Sequence, residues 1–424
     1  MAEVQRVSYE HAQDDSRIGR ALNLDRDGRR AFAASATGWG LDAFDWTMFS
    51  FAVPAIIATL HVTTAETGYI SAASLVASAL GGILGGVLAD RYGRVRVLVW
   101  IIIGFSIFTG LSATAQNLEQ LMLWRVLLGL SYGAEWAVGA ALLSEYSRPE
   151  KRGWLMGMVQ SFYAVGWACS TLVYFIAFAV FPETTAWRVM FAVGILPAFF
   201  SLWIRRSARD RVDIRPQART RNTIRLLFVD GRAKTTVLAT ILGTGVQGIY
   251  YSVIIFLPLY LSDEQGLGVV GTAGYTWCVI AGAWVGYLVA GYLHDAVGRR
   301  PAFTVMFIGS GLSVIFFVSV PLSGVALGLL ASFILGFFSS GQVTGMGPFL
   351  AELFPTSIRA TGQGFCYNWG RALAAAAPAG VGALAAAIGL GNAILTVGLI
   401  ASAIAVLTTW LLPETQGKEI VAGE

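Results

Sequence analysis

Long apolar stretches recur twelve times along this chain, at 31–60, 66–89, 95–115, 118–146, 152–180, 186–205, 233–262, 268–294, 300–321, 324–352, 357–388 and 390–412. A bilayer's hydrocarbon core is about 30 Å thick, and an apolar helix of roughly 20 residues crosses it. No water is present there to bond exposed N–H and C=O groups, so stretches of this length must satisfy their backbones as helices. The chain is therefore predicted to be an all-α membrane protein with twelve transmembrane helices. Spans longer than twenty residues imply tilt, or helix ends outside the lipid.

The loops test that count. Arginine and lysine fill alternate loops: Arg29 and Arg30; Arg91, Arg94 and Arg96; Arg148, Lys151 and Arg152; Arg299 and Arg300; and Arg359. The stretch 206–232 is the richest in arginine. The intervening loops, 61–67, 115–120, 181–186, 262–269, 321–324 and 389–392, contain neither residue. Positive charge is retained on the cytoplasmic face of a membrane, so this alternation places both termini there. It also gives the net charge of +4 a topological meaning, and no nucleic-acid partner is expected. Composition agrees. Of 424 residues 56% are hydrophobic and 13% charged, against about 25% charged in soluble domains, and the mean hydropathy is +0.65. The 49 glycines suit helices that approach closely in lipid. The first thirty residues lack the apolar core of a signal peptide. Cys169, Cys278 and Cys366 lie inside apolar spans with no metal-ligand or disulfide spacing.

The chain repeats itself. Gly86-Val-Leu-Ala-Asp90-Arg91-Tyr-Gly93-Arg94 returns 205 residues later as Gly291-Tyr-Leu-His-Asp295-Ala-Val-Gly298-Arg299. Glu145 and Arg152 return 207 residues later as Glu352 and Arg359. The predicted organisation is a cytoplasmic tail (1–30), a six-helix bundle (31–205), a cytoplasmic linker (206–232), a second six-helix bundle (233–412) and a cytoplasmic tail (413–424). Repeats of this kind mark transporters whose site lies between the halves.

The motif Gly-x-x-x-Asp-Arg-x-Gly-Arg, with its second copy, resembles the signature of the major facilitator superfamily. Asp42-Ala-Phe-Asp45, Gly133-Ala-Glu135-Trp136, Tyr367-Asn368-Trp369-Gly370-Arg371 and Trp187-Arg188 resemble its proton-coupled organic-acid symporters, the carriers of sialate, lactate or pyruvate and aromatic acids. Ala43 departs from the glycine that aromatic-acid carriers usually hold between the paired acids. The resemblance implies the major facilitator fold, uptake of a small organic anion of the carboxylate class with protons, and a multi-pass protein of the bacterial inner membrane acting as a monomer.

Ionisable groups inside a membrane cost roughly 2.5–3.5 kcal/mol each, so they are functional candidates. Asp42 and Asp45, three residues apart, share one side of the first helix. They and Glu135 are the candidate proton carriers. The competing reading makes them caps or structural partners of neighbouring spans. Arg371, near the middle of the eleventh span, is the candidate clamp for a substrate carboxylate, because a guanidinium grips carboxylates with two parallel hydrogen bonds. The resemblance implies the same role, and the competing reading pairs it with Asp45 or Glu135. Arg125 is a second candidate, or a packing residue. Gln342 stands 207 residues after Glu135 as its neutral counterpart. Gln247, Tyr250, Tyr251, Trp136, Tyr367 and Asn368 complete the expected substrate site, since aromatics with one polar atom suit a small organic acid. Gly86, Asp90, Arg91, Gly93, Arg94, Glu145 and Arg152, with Gly291, Asp295, Gly298, Arg299, Glu352 and Arg359, are read as a cytoplasmic gate that clasps the outward-facing state.

No metal, nucleotide or other cofactor is expected: the three histidines, His11, His61 and His294, lack metal partners, and no phosphate-binding loop is present. A sugar or polyol porter is one alternative, because Pro413-Glu-Thr-Gln-Gly417 and Gln247-Gly-Ile-Tyr-Tyr251 resemble motifs of that group. A proton-driven efflux antiporter is another. No nucleophile–base set or selectivity loop points to an enzyme or channel.

Overall fold

The computed structural model describes residues 26–92, 94–133, 135, 152–196, 198–199, 223–229, 231–320, 325–355 and 358–416. Regular structure among them is entirely helical: α1 (Arg26–Leu60), α2 (Thr64–Tyr92), α3 (Arg94–Ser112), α4 (Leu118–Tyr132), α5 (Arg152–Val180), α6 (Glu183–Val193), α7 (Arg232–Ile254), α8 (Val269–Val297), α9 (Arg299–Ser319), α10 (Val325–Gly341), α11 (Met346–Leu353), α12 (Arg359–Ala374), α13 (Ala376–Ile388) and α14 (Leu390–Leu411). Among the described residues, nine helical segments are long and apolar enough to cross a membrane. The third expected span is a shorter apolar helix, Arg96–Ser112. The fourth and sixth run on from α4 and α6 into residues outside the described ones. Large apolar side chains such as Leu84, Ile176, Leu312, Leu330 and Leu407 face outward, a surface that only lipid can cover.

Three spans that read as single helices in the sequence are broken, which accounts for part of their excess length. The seventh breaks after Ile254. Pro258, four residues on, has no N–H and its ring would clash with that carbonyl. A short Leu257–Leu259 helix and a π-helical turn, Tyr260–Glu264, continue it. The tenth breaks between Gly341 and Met346, and the eleventh at Ala375, ahead of Pro378 in the first turn of α13. Each break frees backbone groups at depth, tolerable only where protein or a cavity surrounds them.

Glycine sets how closely the helices meet. In lipid there is little hydrophobic gain from helix association, so close van der Waals contact supplies it. Gly129 on α4 lies against the Ser74 carbonyl of α2, and Gly81 against the Leu130 carbonyl, with no room for a Cβ at either. The same two contacts recur in the second half, Gly336 on Val279 and Gly286 on Phe337. These partners are displaced by the 205 and 207 residues of the sequence repeat. On α1, Gly40 lies against the Phe162 carbonyl, and Gly166 of α5 against the Gly40 carbonyl and the Ala43 methyl. Ala43 is thus accommodated by a glycine on the facing helix. α1 and α5 are thus in close contact on either side of Asp42.

Helices α1–α6 pack mainly on one another, and α7–α14 likewise. Across the boundary α5 meets α8, and α2 meets α12 and α13. At the end where the loops lack arginine, Gly68 abuts the Pro378 carbonyl and Gly382 the Thr64 carbonyl. At the other end, Gly157 abuts the Tyr287 carbonyl and Gly291, and the Trp154 N–H donates to Asp295 at 3.1 Å. The halves therefore touch on both sides of whatever lies between them.

Candidate functional site

Between these two seals is a small cavity of about 30 Å³. That is room for a water or two, so a larger guest enters only when the halves separate. α1 contributes Trp39, Asp42 and Trp46, a spacing that stacks them on one helix face. α5 contributes Gln160 and Tyr163, α7 Gln247, Tyr250 and Tyr251, and α12 Tyr367 and Arg371. Tyr132, Tyr287 and Val343 complete the wall. The repeat runs through it. Gln247 and Tyr251 are the 205-residue counterparts of Asp42 and Trp46, and Tyr367 is the 207-residue counterpart of Gln160. At equivalent positions, one half offers a carboxylate where the other offers an amide.

Arg371 is 2% exposed. Its Nε donates to Gln247 Oε1 at 3.2 Å and its Nη2 to the Tyr367 hydroxyl at 3.1 Å. The guanidinium carbon lies 5.2 Å from the centre of the Tyr132 ring and 4.9 Å from that of Tyr367, where ring faces attract a cation. The break at Ala375 leaves Arg371 in the last turn of α12, where unsatisfied carbonyls favour positive charge. Among the described residues no carboxylate lies within 4 Å of it, and Nη1 has no partner. The indole N–H groups of Trp39 and Trp46, which also wall the cavity, are likewise without acceptors.

Asp45 lies behind this wall. Arg125 Nη1 stands 3.6 Å from Asp45 Oδ2, the Thr109 hydroxyl donates to Oδ1, and the guanidinium carbon is 4.6 Å from the centre of the Phe49 ring. Both charges are almost wholly buried. The two acids of Asp42-Ala-Phe-Asp45 are thus divided between a cavity and an ion pair. Glu135, 1% exposed, has no hydrogen-bond partner on either oxygen among the described residues and abuts Gly38 of α1.

Gln342, Asn368 and Arg125 do not line the cavity. Gln342 sits in the break after α10 and donates to the Val246 and Ser339 carbonyls at 3.2 and 3.0 Å. Asn368 packs on Gly82 of α2 and donates to the Gly364 carbonyl. Trp136 lies outside the described residues. Trp39, Tyr132, Gln160, Tyr163 and Tyr287 on the wall, and Thr109 on Asp45, were not among the expected site residues. Helical spacing from Asp42 would have found Trp39, and the 207-residue offset from Tyr367 would have found Gln160. Nothing local in the sequence marks the others.

In the second half, several of the residues expected at the gate bond to one another. Arg299 donates to Asp295 at 2.9 Å and grips Glu352 through Nε and Nη2 at 3.0 and 2.7 Å. Gly298 adopts φ 103°, a conformation open to glycine, and turns the chain from α8 into α9. Glu414 accepts the N–H groups of Arg299 and Arg300, the Thr415 hydroxyl donates to Glu352, and the Gln416 amide donates to the Asp295 carbonyl. Partial burial raises the Glu414 carboxyl, but four backbone N–H bonds outweigh it and hold it below its ordinary value. The tail contact is therefore present at neutral pH and is lost only as pH falls through that lowered value. Arg359 donates to the Ala351 carbonyl at 2.9 Å, and Gly291 forms the seam with Gly157. In the first half, Gly93 and Glu145 lie outside the described residues, as do the side chains of Asp90, Arg91, Arg94 and Arg152. Gly86 is described only as part of the α2 backbone.

The family profile "Major Facilitator Superfamily" matches residues 36–287 and 273–422. The chain is 39% identical over 396 residues to the probable 4-methylmuconolactone transporter of Cupriavidus pinatubonensis, covering 92% of each chain. It is 31% identical over 366 residues to the cis,cis-muconate transport protein of Acinetobacter baylyi, covering 83% of this chain and 86% of that one. Its structure superposes on the proton:xylose symporter XylE with a TM-score of 0.73 at 18% identity, covering 93% of this chain and 98% of XylE; at that identity the likeness is one of fold.

Proposed function

The chain belongs to the Major Facilitator Superfamily and is a membrane transporter rather than an enzyme, and from that premise we propose that it takes up a small organic carboxylate together with protons by alternating access. The observation that carries this reading is the unfilled donor set of the cavity. Arg371 Nη1 and the indoles of Trp39 and Trp46 have no acceptor, and no carboxylate neutralises the guanidinium within 4 Å among the described residues. An unpaired buried charge costs several kcal/mol, and a carboxylate guest supplies both the charge and the acceptors. Gln247 and Tyr367 hold the guanidinium in place, while Tyr250 and Tyr251 offer flat apolar area to the rest of the guest. Two relatives named for unsaturated organic acids or their lactones support the substrate class, and the fold neighbour, a proton symporter, supports the coupling. A neutral sugar would leave Arg371 without its anion.

Coupling rests on Asp45, with Glu135 and Asp42 as the other carboxylates within reach. A proton on Asp45 dissolves its pair with Arg125, giving the first half two states that a pH gradient can drive. The bundles 31–205 and 233–412 rock about the cavity, joined by the cytoplasmic linker 206–232. The tails 1–30 and 413–424 face the cytoplasm of a bacterial inner membrane, the gate residues close that side, and the monomer is the working unit.

The test is uptake into proteoliposomes with a panel of labelled carboxylates, with and without an inward acid gradient. Accumulation of a carboxylate that needs the gradient and collapses with a protonophore is expected. Uptake of a neutral sugar and of no carboxylate would overturn the reading.

A further inference from the structure

Charge balance in the cavity sets how many carboxylates a guest can carry. Of the two buried arginines nearest the site, Arg125 does not line the cavity and stands behind its wall, 3.6 Å from Asp45. Arg371 is therefore the single cation on the described wall, and the single carboxylate there is Asp42. Everything else on the described wall is neutral: indoles, phenols, amides and Val343. Most of this neutral wall is aromatic and suits a flat, uncharged body, and the Trp39 and Trp46 N–H groups have no acceptor among the described residues.

We infer that the site selects monocarboxylates with a planar, uncharged remainder and rejects dicarboxylates of the same size, with Arg371 as the one available counter-charge and Asp42 as the group facing a second carboxylate. This rests on the organic-anion reading above and adds valence to it. With Asp42 protonated, a monoanion closes the cavity at zero net charge, whereas a dianion leaves one negative charge uncompensated. With Asp42 ionised, the dianion is worse by a further charge. In either state the second carboxylate finds no further cation on the described wall, and stripping it of water has no return.

The experiment compares three ligands of one carbon skeleton on the purified full-length protein: cis,cis-muconate, its monomethyl ester, and the isomeric monocarboxylate muconolactone. Binding is measured by calorimetry at pH 7 in wild type and in Asp42→Asn. The half-ester and the lactone are expected to bind at least about 100-fold more tightly than the diacid, the ratio that one uncompensated buried charge imposes. Asp42→Asn is expected to narrow the ratio of half-ester to diacid, a readout that general damage to the fold would not move. Diacid binding within about tenfold of the half-ester overturns the inference while leaving the organic-anion reading intact. Binding of none of the three overturns both, provided an inward-gradient uptake panel also finds no carboxylate. A ratio unmoved in Asp42→Asn strikes Asp42 from the selection.

Discussion

Arg371→Ala is expected to abolish carboxylate binding in a protein that still folds and inserts. Truncating one partner of a buried, hydrogen-bonded charge pair costs about 2–5 kcal/mol, which is about 30-fold to a few thousandfold in Kd. Folding should survive because Arg371 is not the mate of another buried charge: no carboxylate within 4 Å is stranded by its loss among the described residues. The groups it leaves, Gln247 Oε1 and the Tyr367 hydroxyl, face a cavity that water can enter. Arg371→Lys keeps the charge but loses the planar fork, so its affinity should fall between wild type and alanine. Calorimetry on protein that elutes as a single species in detergent checks both. Wild-type-like binding by folded Arg371→Ala would remove the clamp from Arg371 and leave Arg125 as the remaining buried cation.

Asp45→Asn is expected to separate exchange from accumulation. An inward gradient of one pH unit is worth about 1.4 kcal/mol per proton, so a carrier moving one proton with each substrate concentrates it about tenfold. An amide cannot release a proton on the inner face, and accumulation should fall to about onefold of the outside level. Counterflow between preloaded and external substrate should persist, because exchange does not require the empty return step. The variant leaves Arg125 without its carboxylate in a site that is 1% exposed, and that stranding costs stability. Persistence of counterflow therefore also certifies the fold. Glu135→Gln, in contrast, removes a carboxylate with no hydrogen-bond partner to strand among the described residues and should not lower thermal stability. Normal accumulation in both variants would defeat carboxylate coupling through this pair.

The membrane fold was legible because lipid imposes it. Apolar length, arginine placement and the 205-residue repeat of Asp90 and Arg94 in Asp295 and Arg299 are properties of the chain itself. The family implied by those motifs is the one that the profile matches. The breaks at Ala375 and after Gly341 were not legible, because an apolar stretch reads the same whether or not its helix is interrupted. The site was legible in part. A charge at membrane depth declares itself, so Asp42, Asp45, Glu135, Arg125 and Arg371 stood out. Which acid meets which base depends on helices far apart in sequence. Asp45 and Asp42 differ by three positions, yet one meets Arg125 on α4 and the other walls the cavity beside Tyr163 and Gln247. Gln342 shows the reverse: its place in the repeat suggested substrate contact, but the break after α10 turns its amide onto the Val246 carbonyl.

The tail that follows α14 is tied to the start of α9 by Glu414, to Glu352 by Thr415 and to the end of α8 by Gln416. All three anchors belong to the clasp around Arg299. A fluorophore attached at Gln416 would therefore sit beside the proposed gate. On the proposed cycle its emission or anisotropy would change as the gate opens, which makes Gln416 a reporter position for following transport in real time.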